Sequence, residues 1–197
     1  MEIILHRRNT IKLLNELPRQ YGAEIDLRSY KEEIIIHHDP YELGINFKDW
    51  LKHYKHGILI LNLKEDGLEN KVLNYLEEYN IKSFFFLDQS MPSIIRNVQK
   101  GILNCAIRVS EDEPIQVALN LEGKVNWIWL DLFTKFSLTN KEFKTLKNAK
   151  FKICLVSPEL QKYNNIEIYN LQKHIKKEEI LFDAVCTKFP DKWINLY

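Results

Sequence analysis

The chain offers few of the signatures from which an activity can be read directly. Six glycines are present among 197 residues, and they form no Gly-rich phosphate loop. No G-x-S-x-G elbow marks a nucleophilic serine. The three cysteines, Cys105, Cys154 and Cys186, lie far apart and lack CxxC spacing. That excludes a zinc site and a disulfide framework, and leaves buried thiols in a reducing compartment. No run reaches the roughly 18 apolar residues of a membrane span. The opening MEIILHRRNT has too short an apolar stretch for a signal peptide and no small-residue cleavage site. Charge of one sign is missing too: 28 basic and 27 acidic residues are interleaved, for a net charge of +1. This gives no footing for nucleic acid. The expectation is a cytoplasmic protein with a real core, folded as one domain over residues 1–197.

What is present is alternation. Strand-like runs (EIILH, GAEIDLR, EIIIHH, GILILNLK, SFFFLD, NCAIRVS, VNWIWLDLF, FKICLVS and LFDAVCT) are separated by amphipathic segments with apolar residues at helical spacing. Several strands are nearly continuous apolar runs, as a parallel sheet covered on both faces requires. Ser90 and Asn140 are suitable helix starts, Gly101 and Gly123 suitable stops. Taking EIDLR and EIIIHH as one reversing pair leaves about eight strand–helix units, which predicts a (β/α)8 barrel with minimal loops. An open doubly wound sheet is the alternative. In either, ligands bind beyond the carboxyl ends of the strands.

Chemistry-bearing residues fall at those ends. Glu24 and Asp26 are two apart in a strand and share a face. His6 and His38 end neighbouring runs, and Lys64 ends another. Two carboxylates with imidazoles close by suit a hard metal ion and acid–base chemistry. Each residue also has an ordinary explanation. Glu24 and Asp26 fit the solvent face of an edge strand, His6-Arg7 a surface strand end, and Asn62-x-Lys64 a solvated one. His37 and His38 point to opposite faces, so at least one is structural. Trp129 shares a strand face with Trp127 and Asp131, and serves as a pocket wall, core or partner contact.

In order along the chain, four segments resemble the glycerophosphodiester phosphodiesterase family, relatives of the phosphatidylinositol-specific phospholipases C. These are His6-Arg7 with Asn9-Thr10, Gly22-Ala23-Glu24-Ile25-Asp26, Ile36-His37-His38-Asp39-Pro40, and Phe182 to Thr187 followed by Pro190-Asp191. Leu61-Asn62-Leu63-Lys64 occupies the place of the family's Glu-x-Lys strand. The resemblance implies a (β/α)8 barrel that cleaves a small phosphodiester with one divalent ion, calcium or magnesium, with manganese as a further candidate. It implies that His6 and His38 are the acid–base pair. Glu24 and Asp26 would hold the metal, with Asn62 in the third ligand's place, and Arg7 and Lys64 would contact phosphate. Trp129 is the candidate wall of the substrate pocket.

The chain also departs from that pattern. Arg8 stands where the family has glycine, and Lys188 where the closing motif carries aspartate. Asn62 replaces an acidic ligand, so one negative charge is missing and metal affinity should fall. The insertion after His-Asp-Pro is almost absent, with Tyr41 to Asn46 leading directly into the next helix, which leaves the site open to a larger or polymer-linked substrate. The same departures define a rival: a catalytically silent barrel that binds a phosphorylated ligand or a protein partner.

Overall fold

The computed structural model describes residues 1–196. They fall into two compact units, one of residues 4–102 and one of residues 1–3 with 103–196. All nine expected strands form, and the amphipathic segments between them form helices, shorter than the periodicity suggests.

The first unit contains the end of β1 (Glu2–Leu5), then α1 (Ile11–Asn15), β2 (Gly22–Tyr30), β3 (Glu33–Ile36), β4 (Ile45–Asn46), α2 (Phe47–Leu51), β5 (Leu59–Leu63), α3 (Glu69–Glu78), β6 (Phe84–Leu87) and α4 (Met91–Gln99). Its parallel strands run in the order β1-β2-β5-β6. The nine-residue β2 is flanked by β1 and β5 in its first half. Its second half runs on into an antiparallel hairpin with β3, the expected reversing pair, with Leu27 opposite Ile36 and Tyr30 opposite Glu33. The two-residue β4, absent from the strands expected from sequence, adds antiparallel to β3.

β2 is buried on both faces. Ala23, Ile25 and Leu27 are inaccessible on one, and Glu24 and Asp26 are as deeply buried on the other. The edge-strand explanation for the acidic pair is thereby removed. Gly22 opens β2 because the chain leaves no room for a side chain there: a Cβ would sit 2.3 Å from the Ile58 carbonyl oxygen. This close approach sets β2 beside β5 in the register Glu24–Ile60 and Asp26–Asn62. α2 anchors the loop that follows β1, where the buried Trp50 donates its indole N–H to the Arg8 carbonyl at 2.9 Å.

The second unit holds β7 (Ala106–Val109), α5 (Ile115–Leu119), β8 (Trp127–Leu130), α6 (Asn140–Asn148), β9 (Lys152–Val156), α7 (Asn165–Lys177) and β10 (Ala184–Thr187). Its strands are again parallel, in the order β7-β8-β9-β10, and the N–H of Glu2 at the start of β1 donates to the Asp183 carbonyl at 2.8 Å. The two units thus supply eight parallel strands alternating with helices. Local chemistry explains the boundaries. Ser90 caps α4 by accepting from the Ser93 N–H. Asn140 proves to be the first residue of α6, and the cap is Thr139, in a reciprocal capping box with Glu142. Gly101 and Gly123 follow their helices at φ of +75° and +71°, a conformation that costs glycine little. The three cysteines are free and buried, as expected.

Candidate active site

The carboxyl ends of β1, β2, β5 and β6 bring together six of the eight residues singled out from the sequence, all within the first unit. β2 presents Glu24 and Asp26, and β5 presents Asn62 and, one step past its end, Lys64. β1 runs out into His6 and Arg7. The backbone here is shaped around the acids. Arg7 sits in the left-handed region at φ +52°, uncommon for a residue with a side chain, and its N–H donates to Glu24 Oε2 at 2.7 Å. The following N–H, of Arg8, donates to the Glu24 carbonyl.

All four carboxylate oxygens have a neighbour. Glu24 Oε2 accepts from Arg7 N, with His6 Nε2 3.8 Å away. Glu24 Oε1 accepts from Asn62 Nδ2 at 3.1 Å. Asp26 Oδ2 accepts from Asn9 Nδ2 at 2.7 Å and lies 3.7 Å from Arg7 Nε. Asp26 Oδ1 faces the Lys64 ammonium at 3.0 Å, and that ammonium is also 3.6 Å from Asp88 Oδ2 beyond β6. Burial and the neighbouring Asp26 charge push Glu24 up to about 7, against the pull of the Arg7 N–H, Lys64 and Asn62. Burial is the larger of the two causes, so Glu24 is the carboxyl most easily protonated in the cluster.

His38 follows β3. The His37 N–H donates to the Asp26 carbonyl at 3.0 Å, and Arg28 grips the His38 carbonyl through Nε and a terminal nitrogen at 3.1 and 2.9 Å. These bonds hold the turn against β2. The His38 ring is partly exposed, and its Nδ1 lies 2.8 Å from Asp39 Oδ1. The His38 hydrogen bond holds the Asp39 carboxyl below its usual range, with smaller contributions from the charges of His38, His37 and Arg7. His37 instead turns back on its own loop, with Nδ1 3.1 Å from the Asp39 N–H. Trp129, the eighth candidate, lies buried on β8 in the other unit, in register with Arg108 and Cys154.

Three participants were not singled out as site residues. Asn9 clasps Asp26 twice, accepting the Asp26 N–H at 3.1 Å and donating to its side chain. The Asn9-Thr10 pair carried this signal, and Thr10 caps α1 immediately afterwards. Trp50 had no sequence signal beyond its apolar helical position. Asp88, which ends the SFFFLD run, is in sequence either a helper to the metal or part of the helix cap that includes Ser90.

Whether a divalent ion suits the site depends on its oxygens. Among the described residues no group of three or more histidine, cysteine, aspartate and glutamate side chains is placed to hold a metal. The cluster offers two carboxylates and one amide. The Asn62 amide oxygen is buried and has no hydrogen-bond partner, an expensive state for a polar atom. A buried, unpartnered amide oxygen on the strand beside the two carboxylates fits a hard cation with oxygen ligands.

No protein-family model and no curated protein matches the chain. Solved structures do match it. A provisionally named glycerophosphoryl diester phosphodiesterase from Agrobacterium tumefaciens strain C58 superposes with a TM-score of 0.71 at 13% identity, over 100% of this chain and 96% of that one. A glycerophosphoryl diester phosphodiesterase from Parabacteroides distasonis gives 0.68 at 12% identity, over 99% and 85%. The tryptophan synthase α-subunit of Pyrococcus furiosus, in mutant form, gives 0.56 at 10% identity, over 94% and 85%. The likeness spans the chain and shows the fold, the α/β (β/α)8-barrel class expected from the strand–helix alternation. Two different chemistries appear among these neighbours, so activity has to be argued from the site.

Proposed function

We propose that this chain is a phosphodiester hydrolase of the glycerophosphodiester phosphodiesterase type. Its substrate is a glycerophosphodiester or a related sugar- or polyol-linked diester. The observation that carries the reading is the gathering of His6, Arg7, Glu24, Asp26, Asn62 and Lys64 on adjacent parallel strands, with the turn that carries His38 tied to β2 through the His37 N–H and Arg28. The names of the structural neighbours in Agrobacterium and Parabacteroides support it.

Glu24, Asp26 and the Asn62 amide oxygen would hold a divalent ion, calcium or magnesium, with manganese as a further candidate. When bound, such an ion supplies positive charge against the phosphate oxygens. Arg7 and Lys64 meet the phosphate from the protein side, matching the charge that builds on its oxygens in the transition state. His6 and His38 take the two proton-transfer roles. One removes a proton from the attacking hydroxyl or water, and the other protonates the departing alkoxide, a poor leaving group because of its basicity. Asp39 orients His38 through Nδ1, leaving Nε2 for substrate, and steadies the imidazolium form. The two units are taken as one domain over residues 1–197, since β1 gives its first residues to one and its last to the other.

Three buried, free cysteines support a reducing, cytoplasmic location. No helix among the described residues is long and apolar enough to cross a membrane. The balanced charge gives no reason to expect a nucleic-acid partner.

The test is turnover of a panel of glycerophosphodiesters by purified protein with calcium, magnesium or manganese, and with a chelator. Chelator-sensitive release of a phosphomonoester is the expected result. A folded protein that turns over no diester under any of these conditions would refute the reading, and would favour a silent barrel that only binds a phosphorylated ligand or a partner.

A further inference from the structure

Lys64 is placed where two roles conflict. Its ammonium lies 3.0 Å from Asp26 Oδ1, on the carboxylate assigned to the divalent ion, yet phosphate binding needs that ammonium turned to the substrate. A second carboxylate stands within reach, with Asp88 Oδ2 3.6 Å from the same nitrogen. Asp88 directly follows β6, at φ +61°. It is partly exposed, whereas Asp26 is fully buried. The strands fix this arrangement, with Asp26 in register with Asn62 on β5, and Asn62 in register with Leu87 just before Asp88.

We propose that Lys64 is the site's internal counter-ion and Asp88 its alternative seat: the ammonium neutralises Asp26 until a divalent ion arrives, then transfers to Asp88 and stays aimed at the phosphate. The inference rests on the metal reading above. It makes Asp88 a positioning residue that acts through Lys64, and it makes metal affinity the outcome of a competition. A divalent ion must displace an ammonium already on its ligand, which weakens its apparent binding. Asp88 partly offsets that cost by stabilising the displaced ammonium.

Calorimetric titration with calcium chloride and magnesium chloride tests this, on parent protein, Lys64→Gln, Asp88→Asn and the double variant. Lys64→Arg keeps the positive charge and controls for disturbance of the fold, which thermal melts of every variant check independently. Lys64→Gln is expected to bind the ion about tenfold tighter or more, because a unit charge 3 Å from a ligand oxygen has been removed, while Lys64→Arg stays near the parent. Asp88→Asn is expected to weaken binding several-fold in the parent background and to have little effect once Lys64 is Gln. That coupling separates an action through Lys64 from the plain attraction of a nearby carboxylate, which would be the same in both backgrounds. Ion binding by Lys64→Gln that is no tighter than the parent's would overturn the competition and leave the metal reading standing. Equal effects of Asp88→Asn in both backgrounds would overturn the role of Asp88. If neither parent nor Lys64→Gln takes up either ion while both melt cooperatively, the metal reading fails and this inference fails with it.

Discussion

Replacing Asn62 with glutamate should turn a tolerable site into one that depends on its ion. In the parent, Asn62 Nδ2 donates to Glu24 Oε1 at 3.1 Å from a nearly inaccessible position. Asn62→Glu removes that donor and puts a third carboxylate beside two buried ones. Losing a hydrogen bond to a charged group costs about 1.5–3 kcal/mol. The added like charge raises the cost further or is met by proton uptake, as already happens at Glu24. Without metal, a loss of about 3 kcal/mol lowers the melting temperature by roughly 6–12 °C in a domain of this size. With metal the sign reverses. The new carboxylate supplies the missing charge, so the ion binds more tightly. At a free concentration 100 times the dissociation constant, the ion adds about 2.7 kcal/mol of stability. The assay is a set of thermal melts of parent and variant in chelator and across a calcium or magnesium series. The variant should melt well below the parent in chelator and gain more from the ion. A variant that melts with the parent in chelator and gains no more from the ion than the parent does would refute the placement of Asn62 in the ion's coordination shell.

Three further outcomes follow from the same geometry. His38→Ala should leave calorimetric metal binding nearly unchanged and lower the turnover rate by about 10²–10⁴-fold, the usual contribution of a proton-transfer group; a parallel fall in metal affinity would place His38 in the ligand set instead. Gly22→Ala should destabilise the fold by several kcal/mol, of the order of ~3, because its Cβ would meet the Ile58 carbonyl oxygen at 2.3 Å; denaturant unfolding measures this, and an unchanged midpoint would contradict the close packing of β2 on β5. Glu24 titrates near 7 when folded, against 4.5 as its ordinary value, so the folded state keeps a proton that the unfolded state has released. Its stabilising effect is complete below about pH 4.5 and is lost as pH rises towards 7, by an amount on the order of 3 kcal/mol. Chelated Glu24→Gln should lack this slope in chemical-denaturation curves taken from pH 4.5 to 7.5, and a slope equal to the parent's would show that another group is responsible.

The parts of this molecule legible in its sequence are those fixed by short-range physics. Apolar runs of four or five residues between amphipathic stretches gave all nine expected strands, because a strand buried on both faces has nowhere to place a polar side chain except at its end. That rule also exposes the site: Glu24 and Asp26 interrupt the buried β2, and such an interruption is retained only where something offsets the cost of burial. Helix lengths were less legible. α1 stops at Asn15 although the periodic pattern continues to Tyr21, since Pro18 and the Leu17 turn break the hydrogen-bond ladder. The strand β4 could not be foreseen, because two residues carry no period and its pairing depends on where β3 lies.

The support around the acids lay beyond the sequence for a related reason. Asn9 reaches Asp26 across 17 positions, and Trp50 reaches Arg8 across 42. Neither residue type announces such a bond, and only the parallel register of β1, β2 and β5 brings them into range. Asn62 shows the difference between identity and role. In sequence it is a ligand that has lost its charge. In the fold it is two atoms with separate tasks, an amide nitrogen that ties down Glu24 and an amide oxygen left buried without a partner. Under the proposed metal reading, the first would preserve the acidic pair when no ion is bound, and the second would make an ion worth binding. With Lys64 on Asp26, a site poorer by one carboxylate can hold together empty and still accept a cation. A third carboxylate would strengthen the second of these states only by weakening the first.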